Sequence, residues 1–185
     1  ATTHTVTVTD ANGATATATF SLTVNGAVTA TQAIASKVLT RNTAATSFTP
    51  VTGSGGTSPL AYSVSPALPT GLSMASSTGA ITGTPTATAA ATTHTVTVTD
   101  ANGATATATF SLTVNGAVVA TQAIASKVLT RNTAATSFTP VTGSGGTTPL
   151  AYSVAPALPT GLSMASSTGA ITGTPTATAA ATTHT

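Results

Sequence analysis

The sequence predicts an all-β protein built from tandem β-sandwich domains, and three observations support this fold class. First, the sequence that begins at Ala1 begins again at Ala91. Residues 1–95 therefore align with residues 91–185, a period of 90 residues, with three differences. A unit of this length is too long for one solenoid turn and fits one small sandwich. Second, apolar and hydroxyl side chains alternate over residues 93–114. Third, no window has apolar residues at helical spacing free of Gly or Pro, so we expect essentially no helix.

The clearest predicted element is a β-hairpin formed by residues 93–99 and 104–114. His94, Val96 and Val98 share one parity and threonines take the other, which is typical of a half-buried strand. The intervening turn contains Asn102 and Gly103, which tolerate the positive φ that hairpin loops require. The hairpin should therefore have an apolar inner face and a hydroxyl outer face.

Shorter strands separated by Gly and Pro fill the rest of the unit. They are predicted at residues 34–39 as an edge strand around Lys37, at 48–51, at 60–64, at 72–74 and around Ile81. Pro50 favours an edge or bulge position for the second of these. A Gly-rich loop is expected at residues 53–59.

Composition excludes several classes of function. Only six side chains are charged, four basic and two acidic, so the pI near 9.5 provides no basic patch for nucleic acid. Cysteine is absent, which excludes disulfides and thiolate metal sites. Every apolar stretch is interrupted by Thr, Ser or Gly, so we predict no membrane span. This composition argues against an enzyme.

The chain also resembles a known family. G-L-S-M-A-S-S-T-G-A-I-T-G-T-P at residues 71–85, T-V-T-V-T-D-A-N-G at 95–103 and S-F-T-P-V-T-G-S-G-G at 47–56 are similar to the immunoglobulin-like repeats found in tandem in large bacterial surface proteins. The resemblance covers the whole unit. It implies seven-stranded immunoglobulin-like or cadherin-like sandwiches that space, stiffen or display other domains. His94 stands where such repeats often have an aromatic residue, so a tyrosine-corner hydrogen bond is not expected.

Asn25-Gly26 and Asn115-Gly116 are predicted as domain junctions. Residues 27–116 would then be one complete repeat, residues 1–26 the closing hairpin of a preceding repeat, and residues 117–185 a following repeat without its closing hairpin. Open strand edges are templates for pairing, so we expect a polypeptide of this sequence to polymerise head to tail by exchanging that hairpin.

One histidine recurs in each repeat, and we interpret it as a packed or rim side chain. His4, His94 and His184 are about a domain length apart and cannot share a metal ion. The single Asp and single His of a unit stand at the two ends of one strand, which gives no catalytic triad. G-S-G-G at residues 53–56 lacks the Lys and helix of a phosphate loop. We therefore predict no catalytic, cofactor-binding or metal site.

Two further interpretations concern Asp100. Together with Asn102 it could suggest calcium, but a calcium site needs several carboxylates and the unit has one, which favours a turn role. Together with Lys37 and Asn115 it could form an intramolecular isopeptide crosslink, as in some Gram-positive pilin domains. Such a crosslink would lower the intact mass by one ammonia per unit.

The threonine-rich outer face of the hairpin is open to three interpretations. Thr favours strands and gives a neutral, hydrated surface where charge is scarce. Uncharged faces do not repel, so parallel chains could also pack side by side. Regular Thr arrays resemble those of some antifreeze proteins, although sandwich twist should spoil a flat match to ice. O-linked glycans on this face are a further possibility that intact mass would report.

Together with these patterns, the resemblance implies a structural role for a secreted protein on a bacterial cell surface. The chain would be a segment of a filament, stalk or adhesin, and its partners would be neighbouring repeats and other copies of itself. The alternative is a binding module in which the Gly- and Pro-rich loops recognise a glycan or a host protein. Three substitutions between the repeats leave little room for specialised recognition, which favours the structural role.

Overall fold

A computed structural model describes all residues 1–185 and contains strands and turns but no helix. The predicted all-β tandem fold is confirmed. We refer to residues 1–26 as the N-terminal hairpin, to residues 27–116 as the central unit and to residues 117–185 as the C-terminal unit. None of the elements is a long apolar helix of the kind that crosses a bilayer.

The N-terminal hairpin is a two-stranded antiparallel sheet without a third strand. It consists of β1 (Thr2–Thr9) and β2 (Thr15–Leu22). His4 lies opposite Phe20 and Val8 lies opposite Ala16, and every residue of both strands is exposed. Alternation of threonines with apolar residues and a D-A-N-G turn are therefore sufficient to specify this hairpin from local sequence.

The central unit is a two-layered sandwich of nine strand segments: β3 (Thr29–Gln32), β4 (Ser36–Thr40), β5 (Ala45–Phe48), β6 (Val51–Ser54), β7 (Ala61–Ser65), β8 (Leu72–Met74), β9 (Ile81–Gly83), β10 (Ala89–Thr99) and β11 (Thr105–Asn115). One layer is a four-stranded sheet in the order β4-β11-β10-β7. The other contains the β5-β9-β8 sheet and the β3-β6 pair. The segments make seven strands when β3 with β4, and β5 with β6, are each counted as one interrupted strand.

The central core confirms the predicted parity of the hairpin. Val96, Val98, Phe110, Leu112 and Val114 are buried, whereas the threonines between them are partly or fully exposed. Residues from the facing layer complete one apolar cluster, among them Phe48, Val51 and Ile81. The hairpin therefore supplies half of the buried apolar residues of this cluster.

The prediction of one strand over residues 48–51 was wrong. Phe48 ends β5, which pairs with β9, and Val51 begins β6, which pairs with β3. Pro50 lies between them, fully buried, and has no N–H to continue a ladder. Its carbonyl instead accepts the N–H groups of Ala33 and Ile34 at 2.8 and 3.1 Å. The proline thus interrupts strand structure where the pairing partner changes from β9 to β3 within one layer.

The C-terminal unit forms only the layer that faces the hairpin in the central unit. Its strands are β12 (Val119–Gln122), β13 (Ala135–Phe138), β14 (Val141–Ser144), β15 (Leu162–Met164) and β16 (Ile171–Gly173). Residues 126–130 and 151–155, the counterparts of β4 and β7, are not strands. In the central unit β4 pairs only with β11, and β7 only with β10. In the C-terminal unit neither segment belongs to a sheet, although Ala155 exchanges two backbone hydrogen bonds with Thr185, at 2.8 and 2.7 Å.

Candidate functional site: an open groove and its matching hairpin

The central hairpin shows how a hairpin of this sequence is held in a sandwich. β11 pairs in parallel with β4, from Ser111 opposite Ser36 to Asn115 opposite Thr40. β10 pairs antiparallel with β7, with Val96 opposite Val64. The hairpin is thus inserted between two short strands that have no other partner in their sheet.

His94 fixes the start of this hairpin from inside the sandwich. It is buried, stacks on Phe110 with ring centroids 5.4 Å apart, and its Nδ1 lies 2.9 Å from the Pro66 carbonyl oxygen. A carbonyl can only accept, so Nδ1 carries the proton. The other nitrogen, Nε2, is buried without a hydrogen-bond partner. His94 is therefore a packed histidine whose ring joins β10 to the Pro66 loop.

Asp100 closes the opposite end of the hairpin. Its Oδ1 accepts the N–H groups of Asn102 and Ala104 at 3.0 and 2.8 Å, and its Oδ2 accepts the N–H of Thr57 at 2.9 Å. The bond from Thr57, supported by those from the turn, holds the pKa of Asp100 below its usual value against the opposing effect of burial. All of these hydrogen-bond donors are backbone amides, which agrees with the predicted turn role.

In the structure the residues of the isopeptide interpretation contact other groups. The Lys37 ammonium lies over the Phe48 ring, 5.3 Å from its centroid. The Asn115 side chain donates to Thr147 Oγ1 at 3.3 Å, and Asp100 is occupied as described above. No group of three or more His, Asp or Glu side chains is close enough to hold a metal ion.

The hydroxyl face is wider than the hairpin. β7 adds serines to the rows of threonines, so that Ser65, Thr95 and Thr109 lie side by side, followed by Ser63, Thr97 and Thr107. Neither serine was among the residues predicted for this face. Their alternation with Tyr62 and Val64 was visible in the sequence, but nothing in it identified β10 as the neighbouring strand.

The C-terminal unit contains a large apolar groove where the central unit holds its hairpin. The groove has a volume of about 1160 Å³, and its lining includes Val118, Ile124, Val141, Val154 and Leu158. Val141 is 36% exposed, whereas the equivalent Val51 of the central unit is fully buried at 0%. The groove thus corresponds in position to the space that β10 and β11 occupy in the central unit.

The same contacts recur at both predicted junctions. The Gly56 N–H donates to the Gly26 carbonyl at 2.9 Å, and the Gly146 N–H donates to the Gly116 carbonyl at 2.7 Å. Asn25 and Asn115 each donate a side-chain hydrogen bond, at 2.9 and 3.3 Å, to Thr57 and Thr147 respectively. A shallow cleft of about 280 Å³ at the first junction is lined by Asn25, Thr57, Asp100 and Asn102 together with apolar residues. Each of these four side chains already makes a hydrogen bond.

Two features of this arrangement were not predicted from the sequence. β3 was not predicted, because a Thr-Ala-Thr-Gln segment has no large apolar residue to indicate a buried face. The contact of the G-S-G-G loop with the preceding junction was also missed. Gly55 and Gly56 both have positive φ, and a side chain at Gly55 would overlap the Ala27 carbonyl. The pair Gly55-Gly56 was the feature of the sequence that could have indicated a close backbone contact with the Asn25-Gly26 junction.

The match to a family model agrees with this architecture. The family model described as "Putative Ig domain" matches residues 27–115 and again residues 117–185. Among solved structures, the extracellular cadherin domains 1–4 of protocadherin gamma B7 align with 94% of this chain and 49% of their own, at 14% identity and a TM-score of 0.41. Domains 1–5 of protocadherin gamma B2 align with 94% of this chain and 44% of their own, at 10% identity and a TM-score of 0.40.

The chain therefore spans about half the length of these cadherin structures. No curated protein is significantly similar to it. The family match extends over most of the chain and occurs twice in tandem. The chain belongs to this family of immunoglobulin-like domains.

Proposed function

We propose that the chain is a structural repeat segment of an extracellular filament, stalk or adhesin on a bacterial cell surface. In this role it divides into a closing hairpin at residues 1–26, a complete repeat at 27–116 and a following repeat at 117–185. It is not an enzyme, and its partners are neighbouring repeats and other copies of the chain. The hydroxyl face provides hydration without charge, so that neighbouring filaments can approach each other.

The observation that carries this proposal is the repeated junction. Gly26 with Gly56, and Gly116 with Gly146, are joined by the same backbone hydrogen bond one repeat apart. At the second junction Thr147 is also 3.3 Å from Thr40 Oγ1. A junction fixed by several hydrogen bonds gives each repeat the same orientation to the next, which a spacer needs and a flexible linker does not provide.

The experiment measures whether that orientation is fixed. The chain has no cysteine, so spin labels can be placed at T107C and S163C, two exposed strand positions in the central and C-terminal units. Pulsed electron resonance should give one narrow distance distribution. Removing the junction side chains with N115A and T147A should broaden it, whereas the exposed control T82A should not. A broad distribution in the unmodified junction would overturn the spacer role.

A further inference from the structure

We propose that Asn25 and Asn115, the asparagines of the two junctions, are sites of spontaneous deamidation, and that the reaction loosens each junction as the protein ages. The inference deepens the proposed spacer role, on which it rests. Each of these asparagines is followed by glycine, as are Asn12 and Asn102 in the hairpin turns. Glycine has no side chain to hinder its backbone nitrogen, so in an Asn-Gly pair that nitrogen can attack the asparagine side chain.

The fold does not require glycine at either junction. Gly26 and Gly116 do not have positive φ, and a Cβ atom built on either of them meets nothing within 4 Å. The turn glycines differ, because Gly13 and Gly103 have φ of 88° and 85°. The backbone conformation therefore explains the turn glycines, whereas a junction glycine contributes only an unhindered nitrogen beside the asparagine.

Hydrogen bonding separates the same two pairs of sites. The N–H groups of Gly13 and Gly103 donate within their own turns, at 3.1 and 3.0 Å. The N–H groups of Gly26 and Gly116 donate to no protein acceptor, although both carbonyls accept hydrogen bonds. The attacking nitrogen must lose its proton and move toward the side chain, and a donated hydrogen bond opposes both changes. The junction nitrogens are therefore the better nucleophiles.

The covalent change at Asn115 takes place in two steps. The Gly116 nitrogen forms a bond to the side-chain carbon Cγ and loses its proton, while the Cγ–Nδ2 bond breaks and the amide leaves as ammonia. Water then adds to one of the two carbonyl carbons of the cyclic imide and breaks the bond from that carbon to nitrogen. Opening at Cγ gives aspartate. Opening at the former backbone carbonyl carbon gives isoaspartate, in which the main chain runs through Cγ.

Both products change the hydrogen bonds of the junction. The Asn115 side chain donates to Thr147 Oγ1 at 3.3 Å, and a carboxylate has no N–H to donate. In isoaspartate the Asn115 carbonyl, which accepts the Arg41 N–H at 2.9 Å, leaves the main chain. The carbon added to the main chain displaces Gly116 by about 1.5 Å. The Gly116 carbonyl accepts the Gly146 N–H at 2.7 Å, so this displacement strains the bond that orients the next unit.

The low charge of the chain makes each reaction easy to detect. The chain has four basic and two acidic residues and a formal net charge of +2. Deamidation at both junctions adds two carboxylates, which lowers the net charge from +2 to 0. Isoelectric focusing therefore resolves chains in which neither, one or both junctions have reacted.

The test is ageing of the full chain at mildly alkaline pH, with the reacted sites located by peptide mapping. In the folded chain Asn25 and Asn115 should react about three- to tenfold faster than Asn12 and Asn102, because hydrogen bonds restrain the turn nitrogens. In urea all four sites should react at similar rates, since they share the Asn-Gly sequence. Turn sites that react as fast as junction sites in the folded chain would overturn the proposal.

Asn12 separates access to the nitrogen from freedom of the side chain. The side-chain amides of Asn25, Asn102 and Asn115 each donate to a threonine hydroxyl, whereas Asn12 donates only through its backbone N–H. If freedom of the side chain set the rate, Asn12 would react first. That order would also contradict the proposal.

G116A is the matched variant, because the added methyl group meets open space and leaves the backbone hydrogen bonds of the junction in place. It should slow the reaction at Asn115 by about fivefold or more. Asn25 in the same molecule is the internal control and should react at its former rate. An unchanged rate at Asn115 would show that the glycine does not make the site reactive.

Spin labels at T107C and S163C measure the effect on the junction. The distance distribution should be narrow in the fresh chain, broader in the aged chain, and still narrow in aged G116A. An aged chain that has reacted at Asn115 and keeps a narrow distribution would refute the loosening. A broad distribution in the fresh chain, with the expected order of sites, would refute the spacer role alone. A narrow distribution with the wrong order of sites would refute deamidation at the junction alone.

Discussion

The N-terminal hairpin and the central hairpin have one sequence and two environments. Their strands pair in the same register and their turns have the same hydrogen bonds, with Asp10 accepting from Asn12 and Ala14 as Asp100 does from Asn102 and Ala104. Yet the first is exposed along its whole length and the second forms half of a core. Local sequence thus specifies the hairpin, and only the facing layer specifies its burial.

The two units show the converse dependence. In the C-terminal unit the facing layer keeps its strands without a hairpin, but the counterparts of β4 and β7 do not form. The β13-β16-β15 sheet has the same register as β5-β9-β8. The facing layer is therefore self-sufficient in its pairing, whereas the edges of the hairpin sheet depend on the hairpin.

The largest expected difference between the hairpins concerns their phenylalanines. F110A should lower the free energy of unfolding of the central unit by about 3–5 kcal/mol, because it opens a cavity in a packed core. F20A should change it by less than about 1 kcal/mol, since Phe20 is half exposed and belongs to no core. Urea unfolding of the two variants compares them directly. Similar losses would mean that the N-terminal hairpin is buried in the free chain.

Alanine substitutions at two glycines compare the turn of the central hairpin with the loop that contacts the first junction. Gly55 and Gly103 have φ of 69° and 85°, so G55A and G103A each cost about 1–2 kcal/mol in backbone strain. A methyl group at Gly103 meets nothing within 4 Å, whereas one at Gly55 overlaps the Ala27 carbonyl. G55A should therefore lower the free energy of unfolding by about 1–3 kcal/mol more than G103A does. Equal midpoints in urea would show that the junction contact contributes nothing.

Asp100 gives a pH-dependent test of the same comparison. Its pKa is lowered in the folded chain, so its contribution to stability is complete above the unfolded pKa of about 3.9 and is lost as pH falls through the lower folded pKa. The central unit should therefore lose stability in acid below about pH 4. Urea unfolding between pH 2 and about pH 7 should show this loss, and D100N should remove most of it.

D10N is the matched control, because Asp10 has the same turn bonds but no counterpart of the Thr57 bond. It should leave the acid response of the central unit unchanged. An acid response that survives in D100N and disappears in D10N would contradict the role of the Thr57 contact.

The sequence was most informative where structure is local. Alternation of Val and Thr identified both strands of the hairpin and their faces, and the Asp-Ala-Asn-Gly turn fixed their pairing. Features set by tertiary contacts were less visible. Pro50 was recognised as unusual, but the change of pairing partner at this residue depends on β3 and β9, which lie far from it in the sequence.

The candidate site was predictable in part for the same reason. The 90-residue period identifies residues 126–130 and 151–155 as the counterparts of the two strands that flank the hairpin in the central unit. The absence of strand structure at residues 126–130 and 151–155 was not predicted, because residues 126–130 are identical to β4 and residues 151–155 differ from β7 only in having Ala155 in place of Ser65. Strand propensity was the same in both, and the ladder partner made the difference.

The smallest expected effect concerns a contact that both units share. Lys37 lies over Phe48 at 5.3 Å, and Lys127 lies over Phe138 at 5.6 Å, so this contact does not require a hairpin. K37M should change the unfolding free energy of the central unit by no more than about 0.5–1 kcal/mol, and K127M should have a similar effect on the C-terminal unit. K37R, which keeps the cation, is the control in urea unfolding.

Because Lys37 faces an aromatic ring rather than Asn115 or Asp100, intact mass should equal the sequence mass. A deficit of one ammonia that disappears in K37M would instead reveal the crosslink and would make this substitution far more costly.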